Sequence, residues 1–444
     1  MEDARTAALK ALLRVDGDAG YSNLVLDAEL GPDPADRREK ALATAIFYGV
    51  LERRITLDYA VGRFLKAPQR KLAPTVREIL RIGAYQILYL EKIPPSAAVN
   101  ECVNLAKRNG QARAAGFVNA VLRNVLRAKG NLSLPDPAAD PVRNLSVRYS
   151  CPEWLIRLWR DAYGESCMRG LLESLTVRPP VFARVNNTRI SEENLLERLN
   201  REGMDAKPVS LLDGAVALSH TGGVGTSACY REGLFHVQDL SSQICCALLN
   251  PQPGETVADV CAAPGGKTFT IAERMENRGR VYAYDSYPAR AGLIRGGAER
   301  LRLSCVEAGV RDAAAPETGP GKVDRVLCDV PCSGLGILRR KPEVRYKLPS
   351  TIDSLPDLQY LILCRSSELA AEGGVVFYST CTLNPRENAE VANRFLAGHA
   401  SFEPLPLQLP AGICRAVPEA ENQLTLMPQE NGTDGFFIAA FRKR

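Results

Sequence analysis

The stretch Asp259-Val-Cys-Ala-Ala-Pro-Gly-Gly-Lys-Thr268 decides the fold of this chain. It follows a short apolar run, Thr256–Val260, that is typical of a buried strand, and a helix is predicted from Gly266. A nucleotide-hydrolysing P-loop is excluded, because that motif needs glycine where Cys261 stands, and the spacing Gly-x-Gly-x-x-Gly is absent as well. What is left is a turn of small residues that lets the backbone approach a ligand closely.

Strands and helices alternate on both sides of this turn from Gln238 onward. The predicted strands are Thr256–Val260, Arg280–Tyr284, Cys305–Ala308, Val323–Asp329 and Val375–Ser379. Predicted helices begin at Gly266 and at Pro288, and a longer one covers Asp357–Ala371. This rhythm indicates a doubly wound α/β sheet over residues 238–444. At the end of the chain, an antiparallel hairpin is predicted from Cys414–Val417, Gln423–Met427 and Gly435–Phe441.

Two smaller domains are predicted before this sheet. Residues 1–134 are expected to be all-helical, because apolar residues recur there at spacings of three and four. The predicted helices are Ala4–Val15, Arg37–Phe64, Pro74–Leu90, Ser96–Lys107 and Ala115–Lys129. Residues 135–237 are predicted to hold a linker and a small α+β domain, and the linker, Asn131–Asn144, is rich in proline and aspartate. Helices are predicted there at Glu153–Tyr163 and Ser191–Glu202, and strands at Pro180–Val185, Ala215–Leu218 and Leu234–Val237.

Charge is unevenly distributed along the chain. The net charge is +5, but residues 51–150 hold 17 Lys and Arg against 7 Asp and Glu. A concentrated basic region favours a polyanionic partner such as nucleic acid, and a solvated helical surface is the alternative. No run of 18 apolar residues and no signal-peptide pattern occurs in the sequence, so we expect a cytosolic protein without a membrane partner.

Two of the thirteen cysteines stand out by their position. Cys332 and Cys381 each follow a predicted strand, Arg325–Cys328 and Gly374–Tyr378. Ligands of open α/β sheets bind at the carboxyl ends of strands, so both thiols can face one crevice and attack a substrate covalently. No Cys-x-x-Cys pair occurs and the three histidines are far apart in sequence, so no metal site is expected.

Carboxylates after the next two predicted strands indicate the ligand. Asp285 ends the strand after the small-residue turn, where it can accept hydrogen bonds from both hydroxyls of a ribose. Asp312 follows the third strand, near the expected place of an adenine amine. Because no phosphate-binding signature accompanies them, the sequence predicts an adenosine ligand without phosphates, S-adenosylmethionine. A purely structural turn is the alternative.

Three motifs together carry a family resemblance. Asp-x-Cys-Ala-Ala-Pro-Gly-Gly-Lys-Thr, Asp-x-Pro-Cys-Ser-Gly and Ser-Thr-Cys-Thr resemble the RNA 5-methylcytosine methyltransferases, and the whole chain is similar to their bacterial RsmB (Sun, or Fmu) branch. The resemblance implies a NusB-like RNA-binding domain at 1–134, an RRM-like domain within 135–237 and a Rossmann-like methyltransferase domain at 238–444. By the same resemblance, the cofactor is contacted by Cys261, Ala262, Ala263, Pro264, Gly265, Gly266, Lys267, Asp285, Asp312 and Asp329.

The resemblance also implies roles for the thiols. Cys381 is the expected nucleophile, which adds to carbon 6 of cytosine so that carbon 5 can take the methyl group. Asp329 is expected to hold the base edge and Cys332 to help release the product; the reverse assignment of the two thiols stays open. The basic run Arg339–Lys347 is predicted to bind phosphates. Asn384 and Glu387 are expected to shape the loop after Cys381.

The sequence departs from the family pattern at two places. Asp329-Val-Pro-Cys332 stands where many relatives have Asp-Ala-Pro-Cys, and Tyr284-Asp-Ser-Tyr287 lacks a further acidic residue. Neither change touches a reacting atom. We therefore expect methylation of carbon 5 of a cytosine in 16S rRNA, free or in a small-subunit assembly intermediate, by a monomer. The same reaction on tRNA is the first alternative, and a non-catalytic RNA-binding assembly factor is the second. A protein or small-molecule methyltransferase is less favoured, since it needs neither paired thiols nor a basic domain.

Overall fold

The structure, a computed structural model, describes residues 3–18, 22–31, 37–66, 72–219, 223–316 and 320–444. The chain forms two compact units. The first comprises Met1–Thr176 together with Arg340–Lys347, and the second comprises Val177–Arg339 together with Leu348–Arg444. None of the described helices is both long enough and apolar enough to span a membrane.

The first unit is helical, as predicted. Its helices are α1 (Ala4–Asp18), α2 (Ser22–Leu30), α3 (Arg37–Glu52), α4 (Arg54–Gly62), α5 (Pro74–Tyr89), α6 (Pro95–Arg108), α7 (Ala115–Arg127), α8 (Pro141–Tyr149) and α9 (Glu153–Ser174). Phe47, Ile79 and Leu122 are among the fully buried side chains of its core. The predicted single helix Arg37–Phe64 is wrong, because Arg53 leaves helical dihedrals (φ −120°, ψ 19°) and separates α3 from α4.

The predicted linker is shorter than expected. Pro141, within Asn131–Asn144, begins α8, and the side chain of Asp140 caps this helix by accepting a hydrogen bond from the Arg143 N–H. Aspartate at the cap and proline in the first turn are standard helix-start signals. In the sequence these two residues were interpreted as part of a proline-rich linker instead. The helix predicted at Glu153–Tyr163 continues as α9 to Ser174 beyond a break at Gly164, where φ is 81°.

The segment Arg340–Lys347 belongs to the first unit although it lies far along the chain. Arg345 is 1% exposed and donates a hydrogen bond to the Glu52 carbonyl (3.0 Å). The Tyr346 hydroxyl donates to the Leu51 carbonyl (2.7 Å) and also lies 3.2 Å from Ser150 Oγ. These contacts supply partners to carbonyls at the end of α3, which a helix end leaves without intrahelical bonds.

The second unit begins with a small antiparallel sheet of order β2-β3-β1-β4. Its elements are β1 (Val181–Val185), α10 (Glu192–Arg201), β2 (Asp205–Pro208), β3 (Ala215–Ser219), the short α11 (Ala228–Arg231) and β4 (Phe235–Val237). Leu195 and Leu199 of α10 are buried with Phe235 of β4 in one apolar cluster. The predicted small α+β domain is therefore present, and β2 is the strand that the sequence did not predict.

The larger sheet of this unit has the order β10-β12-β9-β8-β5-β6-β7, with β11 paired to β12. Its elements are α12 (Leu240–Leu249), β5 (Thr256–Asp259), α13 (Gly266–Arg274), β6 (Arg280–Asp285), α14 (Pro288–Leu301), β7 (Val306–Val310), β8 (Val323–Asp329), α15 (Leu355–Ser367), β9 (Ala370–Thr380), α16 (Ala389–Gly398), β10 (Phe402–Pro404), β11 (Gln423–Leu426), α17 (Pro428–Asn431) and β12 (Phe436–Lys443). Strands β5 to β9 pair in parallel, whereas β10, β11 and β12 are antiparallel.

This topology fixes where a ligand can bind. The chain runs outward from β5 through β6 to β7 and then returns to place β8 on the other side of β5. Such a reversal opens a crevice at the carboxyl ends of the strands. Burial of side chains such as Val326 and Phe377 on these strands contributes about 1.5–3 kcal/mol each and makes the platform rigid. The α/β fold class predicted from the sequence is confirmed.

Two predictions for this unit are wrong. Cys414–Val417 is not a strand: Arg415 in this segment instead donates hydrogen bonds to the carbonyls of Ala420, Glu421 and Gln423. The helix predicted at Asp357–Ala371 ends at Ser367, because Ala370 already pairs with Val323 as the start of β9.

Candidate active site

The predicted cofactor loop lies between β5 and α13 at the crevice. Gly265 has φ +113°, and a Cβ built on it would lie 2.3 Å from Cζ of the Phe269 ring, so only glycine fits this turn. The Ala262 N–H donates to the Tyr284 carbonyl of β6 (2.7 Å), and the Gly265 N–H donates to the Ala262 carbonyl (2.8 Å). The peptide bond between Ala263 and Pro264 is cis. The structure thus brings residues 261–267 together as one compact turn.

The two carboxylates predicted to bind a nucleoside follow the next two strands of the sheet, β6 and β7. Asp285 ends β6, is 4% exposed and accepts a hydrogen bond from the Tyr287 N–H (3.1 Å). Arg290 Nη2 lies 3.4 Å from Asp285 Oδ2 and also 3.4 Å from the Ala263 carbonyl. Asp312 follows β7, is exposed and caps its own turn by accepting from the Ala314 N–H (2.9 Å). Both carboxylates stand at the carboxyl ends of neighbouring strands, β6 and β7, and the turn after the adjacent strand β5 has no side chain at Gly265, so these residues fit an adenosine group.

An ion pair connects the loop to the next strand. Lys267 Nζ donates to Asp329 Oδ2 (2.6 Å), and Ser379 Oγ donates to Asp329 Oδ1 (2.8 Å). Asp329 ends β8 directly beside Ser379 of β9 in the parallel register. Burial works to lower the pKa of Lys267, but the Asp329 carboxylate outweighs it, and the net pKa is above that of a free lysine. Lys267 therefore stays charged and holds the Asp329 carboxylate at the floor of the crevice.

Cys332 and Cys381 are in contact at the same end of the sheet. Their sulfur atoms are 3.3 Å apart, neither cysteine is in a disulfide, and both residues are half-buried. The hydrogen bond with Cys381, together with burial, raises the pKa of Cys332 well above its ordinary value. The structure thus places side by side the two thiols that the sequence singled out.

A set of hydrogen bonds joins the two loops that carry these thiols. Ser333 Oγ lies 2.7 Å from Thr382 Oγ1, and the Gly336 N–H donates to the Cys381 carbonyl (3.0 Å). Glu387 is fully buried and accepts hydrogen bonds from the Ser333 N–H (2.8 Å) and from the Asn384 side-chain amide (2.9 Å). Sequence reasoning assigned Glu387 and Asn384 to loop shaping but missed Ser333, whose only signal was its position next to Cys332.

One buried carboxylate under the loop was also missed. Asp259 is fully buried at the end of β5 and accepts a hydrogen bond from Thr268 Oγ1 (2.7 Å). Burial raises the pKa of Asp259 to about 7. Asp259 is the first residue of the stretch Asp259–Thr268 and was therefore part of the motif. Its burial depends on the folded strand and cannot be read from the motif.

The basic run predicted to bind phosphates is partly engaged elsewhere. Arg339 has a side chain only 7% exposed, donates to the Thr433 carbonyl and lies 3.5 Å from Asp434 Oδ1. Arg345 is buried in the first unit. The prediction is therefore wrong for these two arginines, because their charged groups pack against protein carbonyls and carboxylate rather than facing solvent.

A basic face of the first unit remains exposed. It is formed by α6, α7 and their flanking turns, and we call it the α6–α7 basic face. Its exposed members are Lys107, Arg113, Arg123, Arg127 and Lys129. Arg108 is also exposed, but it pairs with Asp3 and Glu101. Arg123 and Arg127 bond to the neutral side chains of Asn119 and Asn124, so no carboxylate in these contacts offsets their charge. Such a face can attract phosphates.

The fold and site define a class: a Rossmann-like methyltransferase domain joined to a helical domain and a small α+β domain. Matches to protein families agree. The NusB family matches residues 2–127, the ferredoxin-like domain of RsmF/B-like methyltransferases matches 151–225, and 16S rRNA methyltransferase RsmB/F matches 246–442. The NusB-like and small α+β expectations are thereby confirmed.

Individual relatives identify the family. The chain is 38% identical to the probable ribosomal RNA small subunit methyltransferase B of Bacillus subtilis (strain 168), over 99% of this chain and 98% of that protein. The chain therefore belongs to the RsmB family of ribosomal RNA small subunit methyltransferases. Its fold is shared with the crystal structure of PH0851, with a TM-score of 0.84, 24% identity and coverage of 100% and 99% of the two chains. A methyltransferase homolog protein from Pyrococcus horikoshii matches with a TM-score of 0.59 and 29% identity, over 69% of this chain and 99% of that one.

Proposed function

We propose that this RsmB-family protein methylates carbon 5 of a cytosine in 16S rRNA through a covalent bond between Cys381 and carbon 6. The observation that carries the proposal is the contact of the Cys332 and Cys381 sulfurs at 3.3 Å, at the sheet end that also holds the Lys267–Asp329 ion pair. A methyl transfer to oxygen or nitrogen needs no thiol, whereas carbon 5 of cytosine must first be activated by a nucleophile.

The cofactor is S-adenosylmethionine, which supplies an electrophilic methyl group on a sulfonium. The residues that would hold it are the loop from Cys261 to Lys267, with Asp285 at the ribose, Asp312 near the adenine, and Asp329 toward the methionine end. Their arrangement supports this assignment, since buried Asp285 presents acceptors beside a turn that has no side chain at Gly265. The hydrogen bonds from Lys267 and Ser379 fix the orientation of Asp329, so that Asp329 can hold the edge of the target base.

The two thiols have separate tasks in this proposal. The thiolate of Cys381 bonds to carbon 6, and carbon 5 gains the electron density with which it takes the methyl group. The proton on carbon 5 must then leave while the bond between Cys381 and carbon 6 breaks and returns its electrons to sulfur. Cys332 starts as a neutral thiol, since the hydrogen bond with Cys381 and burial raise its pKa. It donates its proton to the leaving Cys381 sulfur, 3.3 Å away, and the Cys332 sulfur then accepts the proton from carbon 5.

The proposed substrate is an unpaired cytosine in 16S rRNA. Relatives in the family are named for the small ribosomal subunit, which supports rRNA over tRNA. A base must leave its stack to reach a half-buried thiol, and single-stranded loops make this inexpensive. The α6–α7 basic face would contact the phosphates of the same RNA. The monomeric state and the cytosolic location stay predictions from the sequence.

The test uses tritiated S-adenosylmethionine with naked 16S rRNA, tRNA and assembled small subunits. Wild type is expected to place label in 5-methylcytidine of 16S rRNA, and Cys381→Ala to lower the rate by at least about 1,000-fold, as expected for loss of a nucleophile. Cys332→Ala is expected to accumulate a covalent protein–RNA adduct, because the product is not released. Label in tRNA alone would move the substrate to tRNA, and cofactor binding without label in any RNA would favour a non-catalytic assembly factor.

A further inference from the structure

Glu387 is a buried carboxylate at the centre of the thiol-bearing loops. It is fully buried and receives four hydrogen bonds from neutral donors. Its Oε2 accepts from the Ser333 N–H (2.8 Å) and from Gln359 Nε2 (2.9 Å). Its Oε1 accepts from Ser333 Oγ (2.5 Å) and from Asn384 Nδ2 (2.9 Å). An ionised carboxylate has about four lone-pair sites and no donor, so the four donors use its full capacity.

The four donors come from three separate segments of the chain. Ser333 belongs to the loop of Cys332, Asn384 to the loop of Cys381, and Gln359 to α15. Gln359 also donates to the Pro331 carbonyl (2.9 Å), next to Cys332, and the Glu387 carbonyl accepts from the Tyr378 hydroxyl of β9. Glu387 therefore joins the loop of Cys381 to Ser333 directly and to Pro331 through Gln359, on the two sides of Cys332.

We infer that Glu387 is a positioning residue that holds the Cys332 sulfur in contact with the Cys381 sulfur. The two thiols lie on loops that follow different strands, so their 3.3 Å contact depends on what joins those loops. Glu387 joins both loops through buried hydrogen bonds, and losing a buried partner is costly because it leaves polar groups unsatisfied. The catalytic consequence of this role rests on the proposed function, but the role itself concerns only the distance between two sulfur atoms.

Glu387→Gln is the informative change because it keeps size and shape but adds a donor. An amide nitrogen at the Oε2 position would face the Ser333 backbone N–H, which cannot be turned away. At the Oε1 position it would face Asn384 Nδ2, and turning the Asn384 amide would break the hydrogen bond that its Oδ1 accepts from the Arg386 N–H. A buried donor facing a donor forces the loops apart. Glu419→Gln is the matched control: Glu419 also accepts from a backbone N–H (2.8 Å) and a hydroxyl (2.9 Å), both of Thr425, and its hydrogen bonds do not involve the thiol loops.

Ser333→Ala is a milder second variant. It removes the hydroxyl that bonds both Glu387 and Thr382 but keeps the backbone N–H that donates to Glu387. Because only one of the four hydrogen bonds to the carboxylate is lost, this variant is expected to fold. If Glu387→Gln does not fold, Ser333→Ala tests the positioning role by itself.

The direct measurement is cross-linking of the two thiols in the full-length protein by dibromobimane, which bridges sulfurs only when they are close. Peptide mapping identifies the bridged pair among the other free cysteines. Wild type and Glu419→Gln are expected to give the Cys332–Cys381 bridge rapidly, Ser333→Ala about 3-fold more slowly and Glu387→Gln at least about 10-fold more slowly. In methyl transfer, kcat of Glu387→Gln is expected to fall about 10- to 100-fold, as ångström-scale misplacement does, with KM for RNA within about 2-fold.

The two readouts separate the inference from the proposed function. Slower bridging in Glu387→Gln and Ser333→Ala supports the positioning role even if wild type methylates none of the RNAs. Wild-type bridging rates in both folded variants would overturn it even if wild type proves an active rRNA methyltransferase. Equal slowing in Glu419→Gln would also overturn it, because the effect would then be general to buried carboxylates.

Discussion

Asp259 shows how a single ionisable group can link the cofactor loop to pH. It is buried at the end of β5, its hydrogen-bond partner Thr268 lies in α13, and burial raises its pKa to about 7. In the unfolded chain the same carboxyl group has its ordinary pKa of 3.8. Between these two values the folded state keeps a proton that the unfolded state has released, so the free energy of unfolding depends on pH.

We expect the ionisation of Asp259 to lower the free energy of unfolding of the wild type as pH rises from about 4 to about 7. The folded state binds more protons in that window, and the cost of ionising the buried group reaches as much as about 4 kcal/mol above pH 7. Asp259→Asn cannot ionise and can still accept from Thr268, so its melting temperature relative to wild type should rise with pH across the same window. Thermal unfolding from pH 4 to 8 checks this; a constant difference at all pH values would contradict it. Asp357→Asn, at an exposed carboxylate, is the control.

For individual residues, the sequence singled out the members of the candidate site but did not predict their contacts. Cys332, Cys381 and the loop residues follow from motif positions at strand ends, which chain order alone locates. The ion pair of Lys267 with Asp329 forms because β5 pairs with β8. The burial of Glu387 depends on the pairing of β8 with β9, which brings the two thiol-bearing loops together. No local pattern contains that information.

The element that most constrains the site is the turn from β5 into α13. Gly265 is in the left-handed region, and the ring of Phe269 occupies the space that its Cβ would need. The same ring lies against Gly297 of α14, where a Cβ would be 2.3 Å from Cζ. Phe269 thus fills the space between two glycines and fixes the loop against α14.

We expect Gly265→Ala to lower stability by about 1–3 kcal/mol, because a strained backbone and a clash with Phe269 add together. S-adenosylmethionine affinity should fall at least about 10-fold, since the turn must move. Gly292→Ala, within α14 but in open space, should instead be neutral or stabilise by up to about 1 kcal/mol. Melting temperatures and calorimetric titration with the cofactor measure both effects. Unchanged cofactor affinity in folded Gly265→Ala would show that the turn does not bind it.

Elements were predicted well where one periodicity ran uninterrupted and less well where tertiary pairing overrode it. α5 and α7 begin at the predicted residues because their apolar spacing is regular. The end of α15 was placed too late, because the run Leu369–Ala371 continues an apolar pattern but joins β9 instead. Cys414–Val417 has strand-forming residues, yet it lies in a loop that the Arg415 side chain bonds to three carbonyls.

For the whole molecule, the α6–α7 basic face provides the means to bind an extended polyanion. We expect the double change Arg123→Glu and Arg127→Glu to weaken binding of 16S rRNA about 10-fold or more at 0.1 M salt. The slope of log affinity against log salt should become shallower by about 0.7–0.9 per lost phosphate contact. Cofactor affinity should not change, because the site residues are untouched.

Binding measured at several salt concentrations checks this prediction. The matched control is Arg278→Glu with Arg280→Glu, two exposed arginines at the amino end of β6, away from the strand ends that carry the site. An equal loss of affinity in the control would mean that RNA binding follows total charge rather than this face.

The segment Arg340–Lys347 has a consequence for how the protein is made. During synthesis, residues up to Thr176 leave the ribosome long before Arg345 and Tyr346, which supply partners to the carbonyls of Glu52 and Leu51. Domains tend to fold as they emerge, N-terminal first. Here the first unit lacks the segment Arg340–Lys347 until most of the second unit has been translated. The first unit is therefore synthesised first but cannot form all of its contacts first. A nascent chain stalled before residue 340 would therefore expose this gap to chaperones and proteases, and a fragment ending at Thr176 would keep it permanently.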